Sequence, residues 1–96
     1  MFVVTLTYIK PLTEVEHFLE EHRIFLDTCY LKRHFLASGP KEPRNGGVIL
    51  VNSMSRKELD TLLESDPFYR ENIAEYSIIE FHPVKFDACL SDFIRS

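Results

Sequence analysis

The spacing of hydrophobic and polar residues changes several times along the chain, and each change marks a predicted element. The stretch FVVTLTYI, residues 2–9, is rich in β-branched and aromatic residues and predicts a first strand. From residue 13 to about residue 33 apolar residues recur at helical spacing, which predicts a long helix with Thr13 as its N-cap. The runs FLAS, residues 35–38, and GGVILVN, residues 46–52, predict a second and a third strand.

The second half of the chain carries clear start signals for helices. Ser55 followed by Glu58 is a capping box, which predicts the start of a second helix with the sequence RKELDTLLES. In the next segment, SDPF, Asp66 is placed as an N-cap and Pro67 as the first residue of a new short turn. The run EYSIIEFHPV, residues 75–84, predicts a fourth strand.

The predicted order of elements is β-α-β-β-α-β, which is typical of the ferredoxin-like α+β arrangement. In that arrangement an antiparallel sheet carries both helices on one face. A chain of 96 residues suits one domain, residues 1–96. Its last ten residues, 87–96, carry Leu90, Phe93 and Ile94 at helical spacing, and we expect a C-terminal helical tail there.

The first, third and fourth predicted strands carry apolar residues on both faces. In the third strand Val48 and Leu50 point one way, while Ile49 and Val51 point the other. A bare apolar sheet face is larger than the patches that soluble monomers expose. We therefore expect a second copy of the chain to cover this face, in a homodimer or a higher homo-oligomer.

Composition and charge narrow the classes of partner. The net charge is −4 and no run of Lys or Arg forms a basic stripe, so we expect no nucleic acid as partner. We expect no membrane association either, because no apolar run reaches membrane-spanning length and the first residues do not resemble a signal peptide. Cys29 and Cys89 are far apart and form no CxxC motif, which predicts two free thiols, buried or semi-buried, in a cytoplasmic protein.

One residue interrupts the apolar stripe of the first predicted helix. The inward positions of that stripe hold Val15, Phe18, Leu19, Phe25 or Leu26, and Cys29. Position 22 belongs to the same stripe, and it is His22. Two interpretations are open: a core histidine whose nitrogens are satisfied by backbone or water, or a general acid or base that faces a cavity.

The other polar candidates also have a structural interpretation beside a functional one. Asp66 is explained as an N-cap, Arg44 as a solvated loop residue, and Ser38 as a turn residue before Gly-Pro. His17 and Glu21 lie one turn apart, but no third ligand with metal spacing accompanies them, so we expect no metal site. The chain contains no Gly-rich phosphate loop and no nucleophile elbow.

Three segments of the chain resemble the YciI-like family of small proteins. They are EHRIFL at residues 21–26, FLASGPKEPRNGGVIL at residues 35–50, and SDPFYRENIAEYSIIEFHPV at residues 65–84. The resemblance implies a ferredoxin-like protomer in a dimeric α+β barrel, similar in fold to muconolactone isomerases and small monooxygenases. It also implies a His–Asp pair as the site, which falls on His22 and Asp66 of this sequence.

The resulting hypothesis is a small enzyme without a redox cofactor that acts on a small anionic or lactone-like molecule. His22 would move a proton, and Asp66 would orient and charge-stabilise its imidazole. Arg44 would hold a substrate carboxylate, and Ser38 would belong to the same wall of the site. The reaction would be an isomerisation, an elimination or a hydrolysis. The competing hypothesis is a non-catalytic module that binds a small ligand or a protein through the same cavity, and the sequence does not separate the two.

Overall fold

The computed structural model describes residues 1–94, and its elements follow the predicted order. They are β1 (Phe2–Tyr8), α1 (Leu12–Leu31), β2 (Phe35–Pro40), β3 (Gly46–Val51), α2 (Arg56–Leu63), α3 (Pro67–Arg70) and β4 (Ala74–Glu80). The four strands form one sheet in the order β2-β3-β1-β4, and all neighbouring strands are antiparallel. The helices cover one face of this sheet, so the predicted ferredoxin-like α+β fold is confirmed.

The core lies between the sheet and α1, and β1 runs through its centre. Phe2, Val4 and Leu6 of β1 are buried on the face that meets the helices, beside Ile49 and Val51 of β3. Burying each such side chain stabilises the fold by about 1.5–3 kcal/mol relative to leaving it in water. The period of two in the sequence placed Phe2, Val4 and Leu6 on one face, and the structure shows that this face meets the helices.

The opposite face of the sheet is apolar at one end and polar at the other. Val3 stands beside Leu50 and Ile79 at the apolar end, where Ile79 is 59% exposed. Thr7 stands beside Glu75 at the polar end. The apolar area on this face is therefore smaller than the sequence pattern indicated. The homodimer stays a prediction.

The N-terminus of α1 differs from the sequence prediction, because Thr13 is not its cap. Pro11 occupies the N-cap position, and its carbonyl accepts hydrogen bonds from the backbone N–H of Glu14 (2.9 Å) and of Val15 (3.2 Å). Proline has a fixed φ and no N–H of its own to satisfy, so it ends β1 and begins the helix without a side-chain cap. The helix thus starts at Leu12, one residue before the position predicted for its cap.

The C-terminus of α1 also lies earlier than predicted, at Leu31. Arg33 adopts a left-handed backbone conformation with φ of 60°, and the N–H of His34 returns to the carbonyl of Cys29 at 2.9 Å. This pattern closes the helix in the usual C-terminal manner. The Arg33 guanidinium then lies over the ring of Phe93, 4.4 Å from its centroid, which ties the C-terminal segment to this corner.

The predicted helical tail over residues 87–96 forms only a short 3-10 turn, Ala88–Leu90. Asp87 caps it by accepting the backbone N–H of Cys89 at 3.0 Å. Ile94 is buried, which shows that the segment folds back onto the domain, and residues 95–96 lie outside the described residues. No helix within residues 1–94 has the length and apolarity that crossing a membrane requires.

A candidate acid–base site on the first helix

Asp66 lies at the N-terminus of α3, where the sequence SDPF places it. Its Oδ1 accepts the backbone N–H of Phe68 at 3.0 Å, and Pro67 occupies the first helical turn. The predicted N-cap is therefore confirmed. The side chain is 0% exposed, however, which is unusual for a carboxylate that only caps a short helix.

His22 faces this carboxylate from the inward stripe of α1. Its Nδ1 lies 2.8 Å from Asp66 Oδ1, although the two residues are 44 positions apart in the chain. The imidazole stacks on the ring of Phe68, with centroids 4.0 Å apart and planes within 6°. The backbone N–H of the same Phe68 donates to Asp66, so one short segment positions both the phenyl ring and the carboxylate. The imidazole, which contacts both, therefore has little freedom to turn.

A third side chain, Tyr76 of β4, completes the group. Its hydroxyl donates to Asp66 Oδ2, and its ring packs edge-on against Tyr69 at 5.3 Å. Burial, followed by the negative charge of Asp66, raises the pKa of Tyr76 far above its usual range, so the hydroxyl keeps its proton and acts as donor. Sequence reasoning did not select Tyr76. The available signal was a tyrosine on the helix-facing side of a strand, since a buried phenol needs a polar partner.

Asp66 therefore accepts three hydrogen bonds, from His22, Phe68 and Tyr76. A buried carboxylate is tolerated only when its oxygens are paired in this way. The bond at Nδ1 leaves the other nitrogen of the ring, Nε2, without a protein partner. Among residues 1–94 no buried side-chain nitrogen or oxygen lacks a hydrogen bond, so Nε2 is not sealed in the interior and reaches solvent. In the neutral ring with its proton on Nδ1, Nε2 carries the lone pair.

A cavity of about 330 Å³ lies between α1 and the β2–β3 half of the sheet. His22, which is 12% exposed, lines this cavity together with Ser38 and Arg44. Asp66 stands behind the ring and does not reach the cavity surface. The structure thus brings the four predicted site residues into one region, with three on the cavity wall and one supporting the ring.

The loop between β2 and β3 forms one wall, and its glycines permit close contacts. A Cβ on Gly46 would lie 1.7 Å from the backbone carbonyl oxygen of Leu6, so no side chain fits there. A Cβ on Gly47 would lie 3.1 Å from the carbonyl oxygen of Gly39. None of the described glycines has a positive φ, so close approach, and not unusual backbone angles, explains this pair. Ser38 is tied to α1 by a 2.8 Å hydrogen bond with the hydroxyl of Tyr30.

The cavity is positively charged within an acidic protein. Arg23 of α1 lines it together with Arg44, while none of the described residues on its surface is Asp or Glu. Neither guanidinium forms an ion pair within residues 1–94. Sequence reasoning missed Arg23 because a charged residue beside the apolar stripe of α1 is expected to face solvent. Only the position of the β2–β3 loop shows that this side chain meets the same cavity.

Other reactive groups do not add to the site. Within residues 1–94 no cluster of His, Cys, Asp and Glu is arranged to hold a metal ion. Cys29 is buried in the core, and burial together with the charge of Asp66 raises the pKa of its thiol to about 11. A thiol that stays protonated is a poor nucleophile. Cys89 is exposed, so the expectation that both thiols are buried or semi-buried is wrong for Cys89.

Comparison with solved structures finds a related fold. One similar chain is 5-chloro-2-hydroxyhydroquinone dehydrochlorinase (TftG) from Burkholderia phenoliruptrix AC1100, solved in complex with 2,5-dihydroxybenzoquinone. The two share a TM-score of 0.69 and 17% sequence identity over 84% of this chain and 93% of that chain. At this identity the likeness shows a shared fold.

Comparisons at the level of sequence give a family. No curated protein matches this chain. The family model described as the YCII-related domain matches residues 1–82, which include every residue of the dyad and of the cavity wall. The chain therefore belongs to the YCII-related family.

Proposed function

We propose that this protein is an enzyme that moves a proton on a small anionic or lactone-like molecule, with His22 as acid and base and Asp66 as its orienting partner. The observation that carries the proposal is the difference between the surroundings of the two imidazole nitrogens of His22. Nδ1 is held at 2.8 Å by a buried carboxylate, Nε2 has no protein partner and is not buried, and the side chain lines a cavity of ligand size. A core histidine with both nitrogens satisfied would not leave Nε2 open.

The chemistry follows from the two ring nitrogens. With Nδ1–H donated to Asp66, the lone pair on Nε2 takes a proton from an acidic C–H beside a carbonyl, and the C–H electron pair becomes an enolate. The imidazolium formed is stabilised by the adjacent carboxylate. In an isomerisation the proton returns to another carbon. In an elimination the enolate pair expels a leaving group as an anion. In the hydrolysis of a lactone the same base takes the proton from a water whose oxygen bonds the carbonyl carbon, the ring C–O bond then breaks, and the imidazolium returns the proton to the released alkoxide.

The size and charge of the cavity support a small anionic ligand. Its volume of about 330 Å³ lies near the lower end of the range for ligand pockets, about 300–1,000 Å³. Its charged wall residues are arginines, which bind carboxylates and related oxyanions through paired N–H donors. The similar dehydrochlorinase is an enzyme whose structure holds 2,5-dihydroxybenzoquinone, a compact oxygen-rich ring. A ligand of that size suits the cavity of this chain.

Proton exchange with deuterated water tests the proposal without knowledge of the natural substrate. The protein is incubated in D₂O with small acids that carry an exchangeable C–H, namely 2-oxo acids and unsaturated lactone acids, and loss of the C–H signal is followed by NMR. We expect the wild-type protein to accelerate exchange of at least one compound. Replacing His22→Asn keeps an N–H donor near Asp66 but removes Nε2, and the acceleration should fall by about a hundredfold or more.

His17 supplies a matched control, because it lies on the same helix, is exposed, and does not line the cavity. The variant His17→Asn should exchange at the wild-type rate. If compounds perturb the amide signals around His22 but none exchanges faster than in buffer, the protein binds without catalysis, and the competing hypothesis of a binding module replaces this one.

A further inference from the structure

We infer that the cavity takes a short dicarboxylate, with Arg23 and Arg44 each holding one of its two acid groups. The inference rests on the proposed function, because it names the class of molecule on which His22 would act. It starts from an unexpected feature of the cavity. A protein of net charge −4 places two guanidinium groups and no described acid on one small surface.

The two arginines belong to different walls. Arg23 projects from α1, next to His22, whereas Arg44 belongs to the loop that joins β2 to β3. Both are exposed, and neither has a carboxylate partner within residues 1–94. The other described arginines have partners: Arg56 pairs with Asp60 at 3.0 Å and Arg70 with Glu21 at 3.4 Å. The guanidinium of Arg33 lies over the ring of Phe93. Among the described arginines, Arg23 and Arg44 are thus the two whose guanidinium groups have neither a carboxylate nor an aromatic partner.

Part of the cavity surface is apolar. Leu19, Leu26, Ile49 and Phe68 contribute side chains to it. A hydrocarbon skeleton gains free energy by covering such a surface, while an acid group does not. A molecule with an acid group at each end and a short carbon chain between them therefore matches the pattern of the walls. The carbon chain is also the part that the imidazole can reach, because the acid groups are occupied by the arginines.

Paired ligands test this arrangement. Malonate, succinate, glutarate and adipate are titrated against the labelled wild-type protein at fixed ionic strength, each beside its monomethyl ester, and binding is followed by amide chemical shifts. The ester keeps the length of the molecule and removes one charge. We expect at least one dicarboxylate to bind about tenfold or more tightly than its monoester, since a bidentate charged contact is lost in the ester.

The variants Arg23→Gln and Arg44→Gln should each lower the affinity for that dicarboxylate to the level of the monoester. Arg56→Gln is the control, because Arg56 lies on α2 outside the cavity, and it should leave the affinity unchanged. Two results would overturn the inference. One is that no diacid binds the wild-type protein more tightly than its monoester does, whether both bind equally or neither binds. The other is full diacid affinity in either Arg23→Gln or Arg44→Gln.

These outcomes are separate from those of the exchange experiment. If monoacids exchange their C–H in a His22-dependent manner but diacids have no advantage, the dicarboxylate inference fails and the proposed proton transfer stands. If diacids bind through both arginines but no compound exchanges, the proton transfer fails and the ligand class stands.

Discussion

Two aspartates of this chain have the same local structure and different surroundings. Asp66 begins α3 and accepts the N–H of Phe68 at 3.0 Å, while Asp87 begins the 3-10 turn and accepts the N–H of Cys89 at 3.0 Å. In both cases the carboxylate caps the backbone two residues ahead. A sequence motif that describes only the cap cannot tell them apart.

Burial and distant partners make the difference. Asp87 is exposed, and the backbone N–H of Cys89 lowers its pKa, as expected for a carboxylate that accepts a hydrogen bond in water. Asp66 is fully buried and accepts two further hydrogen bonds, from His22 and Tyr76. The interpretation of Asp66 as an N-cap is confirmed, and the same carboxylate also lies 2.8 Å from His22 Nδ1, so the two interpretations do not exclude one another. The catalytic role of the pair stays a prediction.

The largest expected difference between the two aspartates is in stability. Asp66→Ala leaves one buried and two partly buried donors without an acceptor, and we expect the free energy of unfolding to fall by about 3–5 kcal/mol. Asp66→Asn keeps an acceptor oxygen and the shape, so its loss should be smaller. Urea denaturation followed by circular dichroism measures both. Asp87→Ala is the control, and it should unfold close to the wild-type midpoint because water replaces the lost hydrogen bond.

Equal losses in Asp66→Ala and Asp87→Ala would contradict this account. They would mean that the cap alone determines the contribution of each aspartate, and that the hydrogen bonds to His22 and Tyr76 add nothing to folding. The comparison is informative because the two variants remove the same chemical group from the same local geometry.

The order of elements was predictable because it depends on short-range patterns. Ser55 forms the predicted capping box, with its Oγ accepting the N–H of Glu58 at 3.1 Å, and this bond involves residues three apart. His22 was predictable for a similar reason, since a polar residue in an apolar helical stripe is visible without the fold. Thr13 was predicted wrongly because Pro11 offers a carbonyl in the right place and a side-chain cap is not needed.

The rest of the site depends on contacts that the sequence does not encode locally. Tyr76 reaches Asp66 only because β4 returns beside β1, and Arg23 meets the cavity only because the β2–β3 loop closes over α1. The burial of Asp66 likewise follows from the packing of α3 against α1. The resemblance to a family supplied the pairing of His22 with Asp66. The third member of the group needed the structure.

A second prediction concerns that third member. Tyr76→Phe removes one donor to a buried carboxylate and keeps the ring, so we expect a loss of about 2–3 kcal/mol in the free energy of unfolding. Tyr30→Phe is the matched control. It removes the hydroxyl that bonds Ser38 at 2.8 Å on the exposed side of α1, and water can replace that bond. Its unfolding midpoint should lie near the wild type.

Thermal or urea unfolding of the two tyrosine variants gives the comparison directly. If Tyr76→Phe is as stable as Tyr30→Phe, the hydroxyl of Tyr76 is not a significant partner of Asp66, and the group reduces to the His22–Asp66 pair. The ring nitrogen chemical shifts of His22 report on the position of the imidazole. They should change in Tyr76→Phe and not in Tyr30→Phe.

The smallest expected effect is a fall in stability at alkaline pH, which is absent at neutral pH. It is tested with the two cysteines, because one lies near each aspartate. Cys29 is 1% exposed, and burial, with a further contribution from the charge of Asp66 and a small opposing one from Lys32, raises the pKa of its thiol from 9.0 to about 11. Above pH 9 the unfolded chain loses this proton while the folded protein keeps it. Unfolding then releases a proton, so stability falls as the pH rises from about 9 to about 11.

Urea midpoints measured under reducing conditions between pH 8 and pH 11 test this assignment. Because the pKa of Tyr76 is also raised by burial, unfolding at high pH releases its proton as well, so the informative quantity is the difference between variants. Cys29→Ala removes the buried thiol, and its midpoint should fall less steeply with pH than that of the wild-type protein. Cys89→Ala removes an exposed thiol, and its curve should run parallel to the wild type. Parallel curves for the wild type and Cys29→Ala would contradict this assignment. They would show that burial and the charge of Asp66 do not hold the proton on Cys29, so the buried aspartate would have no measurable electrostatic effect on its neighbour.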